Sequence, residues 1–401
     1  MTLPRLERLV VELGQKKFVA GYIFSFIQDR GVTKIDEITP LSKLFRSQLV
    51  EKGFFISTLK IIEKLTDPDG TIKYVFGLPA SALAKGEAGP DGPPSPPRFA
   101  SQSEAVGAGN RIESVLLSDP VKSKRFPGLG PGNSKGISQG DDRRTLCVST
   151  QVGCAMGCVF CATGRLGLAR NLTAGEIVDQ VNIVARDSLL VTRGTRAESR
   201  LTNVVFMGMG EPLENYDAVM DAVNILNTEA GLNIGIRRIT VSTSGIPQAI
   251  ERLAEEARGP RLAISLNAPT DAIRQKLMPI AKKHPLDRLL RAVAAYQRKT
   301  RNRVTFEYCL IKGVNDTSLQ ARLLVKLIRP FMCNVNLIEY NPPPLLRFAK
   351  QSDGGGFKPS GRDAIERFAT VLKEAGVETT IRLKMGQTIH AACGQLGAGI
   401  K

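Results

Sequence analysis

The larger, C-terminal part of the sequence is predicted to form an α/β fold around a parallel sheet, either open or curled into a barrel. From residue 145 onward, strand-like segments alternate with segments long enough for helices. One helix start carries a capping box, Thr173 to Glu176, and the last helix ends at Gly376. Repeated strand–helix units within one domain build parallel sheets. Ligand-binding side chains in such folds lie at the carboxyl ends of the strands.

The predicted elements divide the chain into three parts. Residues 1–65 form a helical accessory domain, because Leu6, Leu9 and Leu13 share one helical face and two further apolar helical patterns follow. Residues 66–142 hold a β-hairpin of strands 71–78 and 111–118, with two inserts, 79–110 and 119–142, that we expect to be disordered. Residues 143–401 form the α/β domain. Its predicted strands are 145–152, 203–207, 238–243, 261–266, 303–310, 334–340 and 379–383.

Composition indicates an ordinary globular protein without a membrane span. Hydrophobic residues make up 42% and charged residues 23% of the 401 residues, and no apolar run is long enough to cross a bilayer. Glu7, Glu12 and Asp29 argue against a signal or transit peptide. Seven cysteines with three of them clustered suggest a reducing compartment. We therefore expect a cytoplasmic protein, or an organellar one if an upstream targeting segment is missing.

The basic charge suggests a polyanionic partner. The formal net charge is +17, and eight Lys or Arg lie between Lys282 and Arg303, where only Asp287 is acidic. The apolar positions in that segment fall at helical spacing, which places the basic side chains on the opposite face. Both a solvated outer helix and a phosphate-binding helix satisfy this pattern.

Three cysteines in one loop form the most specific motif. Cys154, Cys158 and Cys161 have the spacing C-x3-C-x2-C. A structural zinc site is one reading, but such sites close a tetrahedron with a fourth ligand, and no second Cys or His pair follows. A [4Fe–4S] cluster held by three Cys keeps one iron open to an exogenous ligand. The spacing, with Phe160 before the last Cys, resembles the radical S-adenosylmethionine (SAM) enzymes.

Polar or glycine-rich turns follow several predicted strands. Gly210 and Glu211 follow the second strand, where a glycine turn lets backbone approach a ligand and a carboxylate can pair with an ammonium group. Each of the other turns can also be read as a helix cap, and only their recurrence at strand ends favours a shared ligand. The candidate SAM-binding residues are Gly210, Glu211, Ser242, Ser265, Leu266, Asn267 and Asn341.

The remaining four cysteines are of two kinds. Cys309 and Cys333 lie among apolar residues and are predicted as small buried core residues. Cys147 lies seven residues before the first cluster cysteine, and Cys393 lies near the C-terminus beside a glycine-rich segment.

Six stretches of the sequence carry a closer resemblance to one family of radical SAM enzymes. The stretches RRTLCVSTQVGCAMGCVFCATG, MGMGEPLEN, ITVSTSGI, SLNAP, NLIEYNPP and AACGQL resemble the radical SAM adenine C2-methyltransferases of 23S rRNA and tRNA. The likeness covers most of the chain except the two inserts. It implies a partial (β/α)6 TIM-like radical SAM barrel with an N-terminal helical domain and a β-hairpin. It also implies one [4Fe–4S] cluster on Cys154, Cys158 and Cys161, with SAM as the second cofactor.

The same resemblance implies roles for three further residues. Cys393 would carry a methyl group as S-methylcysteine, and Cys147 would release the product by forming a disulfide with Cys393. Glu113 matches the family's proton acceptor. The implied partners are 23S rRNA, tRNA and an electron donor such as flavodoxin or ferredoxin, and the implied state is a monomer.

Two positions depart from the family pattern. Asn267 stands where the family usually has His, and Val19 stands where members tend to have a basic residue in the second helix. The alternatives are the related florfenicol-resistance methyltransferase, which modifies C8 of adenosine, a zinc-stabilised RNA-binding protein without catalysis, and a glycyl-radical activating enzyme. The last of these has no use for Cys393.

Overall fold

The structure is a computed structural model that describes residues 1–56, 59–78, 111–118, 143–192, 201–343 and 356–398, with backbone only for 118 and 188–192. Both predicted inserts, 79–110 and 119–142, lie outside the described residues. Within the described segments, no helix combines the length and apolarity needed to cross a bilayer.

The N-terminal segment is helical, as its apolar spacing predicts. It contains α1 (Leu3–Glu12), α2 (Val19–Gln28), a short 3-10 turn (Ile35–Glu37) and α3 (Lys43–Glu51). The Ser42 side chain accepts a hydrogen bond from the Phe45 amide and caps α3. Buried apolar residues of these helices join the main core of the protein.

Three antiparallel strands extend the central sheet on its N-terminal side. They are β1 (Lys60–Thr66), β2 (Ile72–Gly77) and β3 (Arg111–Ser118). The predicted hairpin is confirmed, because β2 and β3 pair antiparallel. The sequence does not predict β1, since this edge strand is exposed and mixes Lys and Glu with its apolar residues. The predicted boundary at residue 65 falls inside β1, so the helical segment ends before residue 60.

The predicted parallel sheet is also confirmed. The parallel strands are β4 (Arg144–Cys147), β7 (Asn203–Phe206), β8 (Ile239–Thr243), β9 (Arg261–Ser265), β10 (Val304–Leu310), β11 (Cys333–Glu339) and β12 (Glu378–Ile381). The strand order of the ten-stranded sheet is β1-β2-β3-β4-β7-β8-β9-β10-β11-β12, in which β3 pairs antiparallel with β4 and all later neighbours are parallel. The sheet has edges at β1 and β12, so the barrel is partial.

The predicted strand 145–152 is wrong as a single element. The chain leaves the large sheet after Cys147 and forms β5 (Gln151–Gly153), which pairs with β6 (Leu168–Asn171) in a separate two-stranded sheet. The amides of Thr150 and Gln151 donate to the Met209 carbonyl, which holds this exit against the turn after β7. The break aims the cysteine loop across the carboxyl ends of the parallel strands.

Helices cover the outer side of the parallel sheet. The Thr173–Glu176 capping box is confirmed, because Thr173 Oγ1 accepts from the Glu176 amide and the Glu176 carboxylate accepts from the Thr173 amide. The helices are α4 (Ala162–Arg165), α5 (Ala174–Thr192), α6 (Tyr216–Asn227), α7 (Pro247–Leu253), α8 (Asp271–Leu277), α9 (Ile280–Lys283), α10 (Leu286–Thr300), α11 (Ser318–Ile328) and α12 (Arg362–Glu374).

Strand residues alternate between this helical layer and the lumen of the sheet. Val204, Val241 and Val335 are fully buried toward the helices. Residues one position away, such as Asn203, Thr240 and Asn334, face the lumen. The outer face of the sheet is therefore the core, and the lumen is polar.

Arg274 of α8 joins the carboxyl ends of two parallel strands. Its side chain is fully buried and donates to the backbone carbonyls of Ser244, after β8, and Leu266, after β9. Burial lowers the pKa of the guanidinium to about 10, so Arg274 keeps its charge at neutral pH. Carbonyls held this way fix the rim on which the candidate ligand-binding residues lie.

Replacing Arg274 tests whether its hydrogen bonds hold the ends of the parallel strands in place. We expect Arg274→Met to lower the free energy of unfolding by about 2–4 kcal/mol, because it leaves buried carbonyls without a donor. The exposed Arg298 on α10 provides a matched control, and Arg298→Met should change stability by less than about 0.5 kcal/mol. Urea unfolding followed by circular dichroism measures both. Equal stability of the two variants would show that the Arg274 contacts are dispensable.

Candidate active site

The three clustered cysteines lie on one wall of a cavity at the carboxyl ends of the parallel strands. The cavity has a volume of about 960 Å³, part of it open to solvent, and Cys154, Cys158 and Cys161 all line it. The loop begins at Gly153, whose φ of +77° and a gap of only 1.8 Å from a would-be Cβ to the Gly167 carbonyl oxygen admit no side chain. The Cys154 amide donates to the same carbonyl at 2.8 Å.

The chemistry of these three thiols fits an iron–sulfur cluster. Burial raises the pKa of Cys154 to about 12 and raises the pKa values of Cys158 and Cys161 as well. Binding iron would therefore displace a proton from each sulfur. The Arg274 guanidinium opposes the shift at Cys158 and so favours its thiolate. Three soft sulfur donors on one wall, with open cavity beyond them, suit a cluster with one free iron position.

No group of three His, Cys, Asp or Glu close enough to hold a single metal ion occurs within the described parts of the chain.

Glu211 is one of two buried carboxylates that line the cavity, the other being Glu307. Glu211 is 3% exposed, and its two oxygens accept from the amides of Leu213 at 3.1 Å and Ser244 at 2.7 Å. Burial raises its pKa, and the hydrogen bonds from the Ser244 amide and the Thr243 side chain oppose that shift. Gly210 has a φ of +104° and lies against Gln151, whose side chain accepts from the Glu211 amide. A fixed carboxylate on the wall can bind an ammonium group, as the SAM amino group requires.

The other candidate SAM-binding residues are placed unequally. Ser242, Ser265 and Asn267 line the cavity beside Gly210 and Glu211. Leu266 is fully buried, and its carbonyl is taken by Arg274, so it lies behind the wall. Asn341 is also buried beside the wall, which its neighbour Tyr340 lines. The SAM contacts of Leu266 and Asn341 stay predictions.

Asn267 connects the ends of two neighbouring parallel strands through hydrogen bonds. Its φ is +58°, a left-handed conformation that Asn adopts more readily than most residues. Its Oδ1 accepts from the Cys309 amide at 2.8 Å, and its own carbonyl accepts from Asn315 at 2.7 Å. Asn267 thus joins the ends of β9 and β10 rather than presenting a free amide to the cavity.

Cys147 and Cys393, far apart in sequence, come together near the cluster cysteines. Burial raises the pKa of Cys147 to about 12, and the negative charge of Cys393 adds to the shift. The Met207 amide donates to the Cys147 sulfur and opposes it. Cys393 lines the cavity, and the carbonyl of the next residue, Gly394, accepts from the amide after Cys161. The two thiols and the cluster ligands therefore share one site.

Cys393 differs from Cys147 in exposure. Its side chain is open to solvent at the edge of the cavity, whereas Cys147 is buried. The surrounding protein atoms still desolvate the sulfur and so raise the pKa of Cys393. The Arg382 guanidinium opposes this shift, and Glu307 adds to it. An accessible sulfur beside a cation is able to reach a ligand in the cavity.

Hydrogen bonds to residues of the antiparallel extension hold the C-terminal segment that carries Cys393 in place. In the turn between β1 and β2, Asp67 accepts from the Thr388 amide and hydroxyl at 2.9 and 2.6 Å, and Asp69 accepts from the Gly386 amide at 2.8 Å. On β3, the Glu113 carboxylate accepts from the Gly397 amide at 2.9 Å. Cys393 lies between these attachments.

Glu113 lies behind the cavity wall in this structure. It is 2% exposed, and its other carboxylate oxygen is 3.5 Å from Lys73 Nζ, itself nearly buried. Its backbone carbonyl accepts from the Ser149 hydroxyl, next to the start of the cysteine loop. The geometry connects Glu113 to both the Cys147 and the Cys393 segments, and its role as proton acceptor stays a prediction.

Some functional residues are not found by sequence reasoning. Cys309, predicted as core, lines the cavity at the end of β10. Glu307 lines the same cavity, and its carboxylate is 4.0 Å from Arg382. Inward placement could have been read from the strand period of two, because Thr305, Glu307 and Cys309 share one face. Arg382 follows the last strand and carries no local signal.

The basic segment at α10 is partly neutralised. Arg291, Lys299 and Arg303 pair with Asp287, Glu255 and Glu378, which favours the solvated-helix reading for these three. Val19, where relatives of the family tend to be basic, is 9% exposed and packs into the core.

The Asp67 carboxylate provides a pH-dependent test of the hydrogen bonds that hold the C-terminal segment. Burial would raise its pKa, but the hydrogen bonds led by Thr388 outweigh this and hold it below its usual value. A carboxylate with a lowered pKa stabilises the fold above its unfolded pKa, about 4, and this contribution disappears as the pH falls through the folded value. We expect Asp67→Asn to cost about 1–2 kcal/mol at pH 7, with a gap to the unmodified protein that narrows below about pH 4.

Urea unfolding at pH 7, 5 and 3.5 measures that gap, and hydrogen exchange reports the amides of residues 386–398. Asp36→Asn, at an exposed position, is the matched control. A gap that stays constant down to pH 3.5 would contradict the assignment of the stabilisation to the Asp67 charge.

Comparisons with known proteins bear on this site. Residues 148–323 match the family model described as the Radical SAM superfamily. The chain is 41% identical over 397 residues to the "Probable dual-specificity RNA methyltransferase RlmN" of Alkaliphilus oremlandii, with 99% of this chain and 96% of that protein covered. It is 38% identical over 397 residues to the "Dual-specificity RNA methyltransferase RlmN" of Syntrophobacter fumaroxidans, with 99% and 96% covered.

Among solved structures, the chain is similar to a radical SAM methyltransferase from Sphaerobacter thermophilus. The TM-score is 0.77 at 38% sequence identity, and the match covers 99% of this chain and 98% of that one. The similarity therefore includes the helical segment and the antiparallel strands as well as the parallel sheet.

Proposed function

The chain belongs to the family of radical SAM dual-specificity RNA methyltransferases, and on that premise we propose that it methylates carbon 2 of an adenosine in 23S rRNA and in tRNA. The observation that carries the proposal is the meeting of Cys147 and Cys393 beside the cavity of the three cluster cysteines. A radical SAM enzyme that only initiates a radical needs the three cluster cysteines alone. Two further thiols at the same site supply a covalent methyl carrier and its release.

The target atom explains why such chemistry is needed. Carbon 2 of adenine lies between two ring nitrogens and is electron-poor, so it does not attack the methyl group of SAM as a nucleophile. When bound to Cys154, Cys158 and Cys161, the cluster supplies the electron that cleaves SAM to a radical able to take hydrogen from a methyl group. Glu211, with Gly210, Ser242 and Ser265 on the same wall, is proposed to hold SAM in place.

Cys393 is proposed to carry the methyl group. Its sulfur must lose a proton to accept a methyl from one SAM molecule, and the nearby Arg382 favours that loss. The S-methyl carbon, after losing hydrogen to the radical, bonds to the adenine carbon. The adduct gives one electron back to the electron carrier and its carbon 2 proton to a base, which leaves the RNA attached to the Cys393 sulfur. The exposure of Cys393 at the cavity suits a group that must contact both SAM and RNA.

Cys147 is proposed to release the product. Its sulfur attacks the Cys393 sulfur, so that a disulfide forms while the bond from sulfur to the methylene carbon breaks. The electron pair of the broken bond stays with the base, and the methylene carbon takes up a proton to become the methyl group. Burial and the neighbouring Cys393 sulfur favour the protonated Cys147 thiol, and the Met207 amide can stabilise its thiolate during the attack. Glu113 is proposed to accept the proton that leaves carbon 2, from its place between the segments of both cysteines.

The remaining partners follow from this chemistry. The electron for the cluster is proposed to come from flavodoxin or ferredoxin. The enzyme is proposed to act as a monomer in the cytoplasm, or in an organelle if a targeting segment precedes this sequence. The exposed basic side chains of α10 that form no ion pair within the described parts of the chain, such as Arg288 and Arg298, are proposed to contact RNA phosphates.

Modified-nucleoside analysis tests the proposed function. In a strain lacking its own enzyme, restoring this protein should produce 2-methyladenosine in 23S rRNA and in tRNA, detected by mass spectrometry of the digested RNA. Cys393→Ala should abolish the product, because no methyl carrier remains, whereas Cys333→Ala, at a position away from the cavity, should retain it.

Other outcomes point to the alternatives. Finding 8-methyladenosine instead would assign the C8 activity of the florfenicol-resistance type. Stoichiometric zinc without iron or sulfide in protein purified without oxygen, together with unmethylated RNA, would identify a non-catalytic zinc protein. Modification of a protein partner without any change in RNA would fit a glycyl-radical activating enzyme.

A further inference from the structure

A second cavity lies in the lumen of the sheet, below the candidate active site. It has a volume of about 1760 Å³, part of it open to solvent. We call it the lower lumen. Its wall includes inward-facing residues from the beginnings of the parallel strands: Thr145, Asn203, Thr240, Thr305, Asn334 and Thr380.

The polarity of the lower lumen is unusual for a sheet of this kind. Parallel barrels usually fill the interior with Val, Ile and Leu, which pack in layers. Here Asn and Thr outnumber the apolar inward residues Val205, Met207 and Ala263, while most apolar strand residues face the helices. Polar side chains turned inward are costly unless they meet water or a polar ligand. The lower lumen therefore suits water or a polar solute.

The charge of the lower lumen is positive. Five arginines and two glutamates line it. Arg303 pairs with Glu378, and Arg382 is 4.0 Å from Glu307. Among the described residues of this wall, Arg143, Arg237 and Arg261 have no carboxylate partner. Guanidinium groups around a cavity attract anions and bind carboxylates or sulfonates by paired hydrogen bonds.

The inner end of the lower lumen lies close to the cysteine pair, although neither cysteine lines it. Arg382, which lines the lumen, interacts with the charges of both Cys147 and Cys393. Met207 and Glu307 line both cavities, so they form the layer between the lower lumen and the candidate active site. The Met207 amide donates to the Cys147 sulfur, and its own sulfur is 4.0 Å from Arg382 Nη1. Cys147 lies two residues after the lumen-lining Thr145 on β4, so both face inward.

We propose that the lower lumen binds an anionic low-molecular-weight thiol that reduces the Cys147–Cys393 disulfide after each methyl transfer. The inference rests on the proposed function, because that chemistry is what leaves a disulfide at the end of every turnover. On the other side, the Cys393 sulfur faces the cavity that would take the cluster, SAM and RNA. The arginine-lined approach from below is separate from that cavity, passes beside Met207, and would select a small, negatively charged reductant.

The reduction balances with two thiol molecules. The thiolate of the first attacks the Cys147 sulfur, forms a mixed disulfide there and releases the Cys393 thiolate, which takes up a proton from water. A second thiolate attacks the sulfur of the first and leaves as a free disulfide, while the Cys147 thiolate is protonated. Both cysteines are thereby reduced, and the two small thiols are oxidised by two electrons in all.

Matched thiols of different charge test this inference. The holoenzyme is allowed one turnover with its RNA substrate and flavodoxin, and small molecules are then removed without oxygen. Disulfide loss is followed by alkylation and mass spectrometry of the Cys147 and Cys393 peptides, with 2-mercaptoethanesulfonate, 2-mercaptoethanol or cysteamine as reductant. Each rate is divided by the rate of the same thiol with a short unstructured cystine peptide, which corrects for intrinsic reactivity.

The normalised rate should be about tenfold higher for the anionic thiol than for the neutral one, and lowest for the cationic one. Arg237→Gln with Arg261→Gln should reduce the anionic preference to near one. The control Arg322→Gln with Arg367→Gln removes the same charge from the exposed faces of α11 and α12 and should keep the preference.

Three results would overturn the inference. One is a disulfide reduced without regard to thiol charge, and another is a charge preference that survives the change of Arg237 and Arg261. The third is faster reduction by a thioredoxin-fold protein in native and variant enzymes alike. If no Cys147–Cys393 disulfide accumulates after turnover, the proposed function fails, and this inference fails with it.

Discussion

The buried guanidinium of Arg274 is the contact on which the arrangement of the site depends. Parallel strands end in carbonyls that need donors, and the chain must also turn there without blocking a cavity. Arg274 supplies donors to the ends of β8 and β9 at once and lies close enough to Cys158 to favour its thiolate. One buried cation thus couples the rim of the sheet to the loop that holds the cluster. The desolvation of that cation is offset by the carbonyls that it joins.

The antiparallel extension gives the generic fold its particular chemistry. A parallel half-barrel with a cysteine loop can start a radical, but Cys393, the proposed methyl carrier, is on a C-terminal segment outside the parallel strands. The turn at Asp67 and Asp69 and the carboxylate of Glu113 fasten that segment on either side of Cys393. Because β3 also pairs with β4, the strand that carries Cys147, one small sheet extension positions both cysteines.

Much of this could be predicted from local sequence signals. Buried parallel strands are apolar runs of the right length, so nearly every strand from β2 to β12 was predictable, and the spacing of Cys154, Cys158 and Cys161 is a motif by itself. β1 and the break after Cys147 were not, since an exposed edge strand has no apolar alternation and the break depends on contacts with the Met209 carbonyl. Arg274, Arg382 and Asp67 act on residues distant in sequence, so tertiary contacts alone reveal them.

The measurement that tests the central claim most directly is the fate of RNA in the Cys147→Ala variant. If Cys393 carries the methyl group and Cys147 resolves the adduct, the variant reconstituted with its cluster and SAM will accumulate RNA joined to Cys393 through one methylene carbon. Denaturing electrophoresis and peptide mass spectrometry would show this crosslink, and Cys393→Ala would be free of it. Full turnover of Cys147→Ala without any crosslinked protein would contradict the assignment of the cysteine pair.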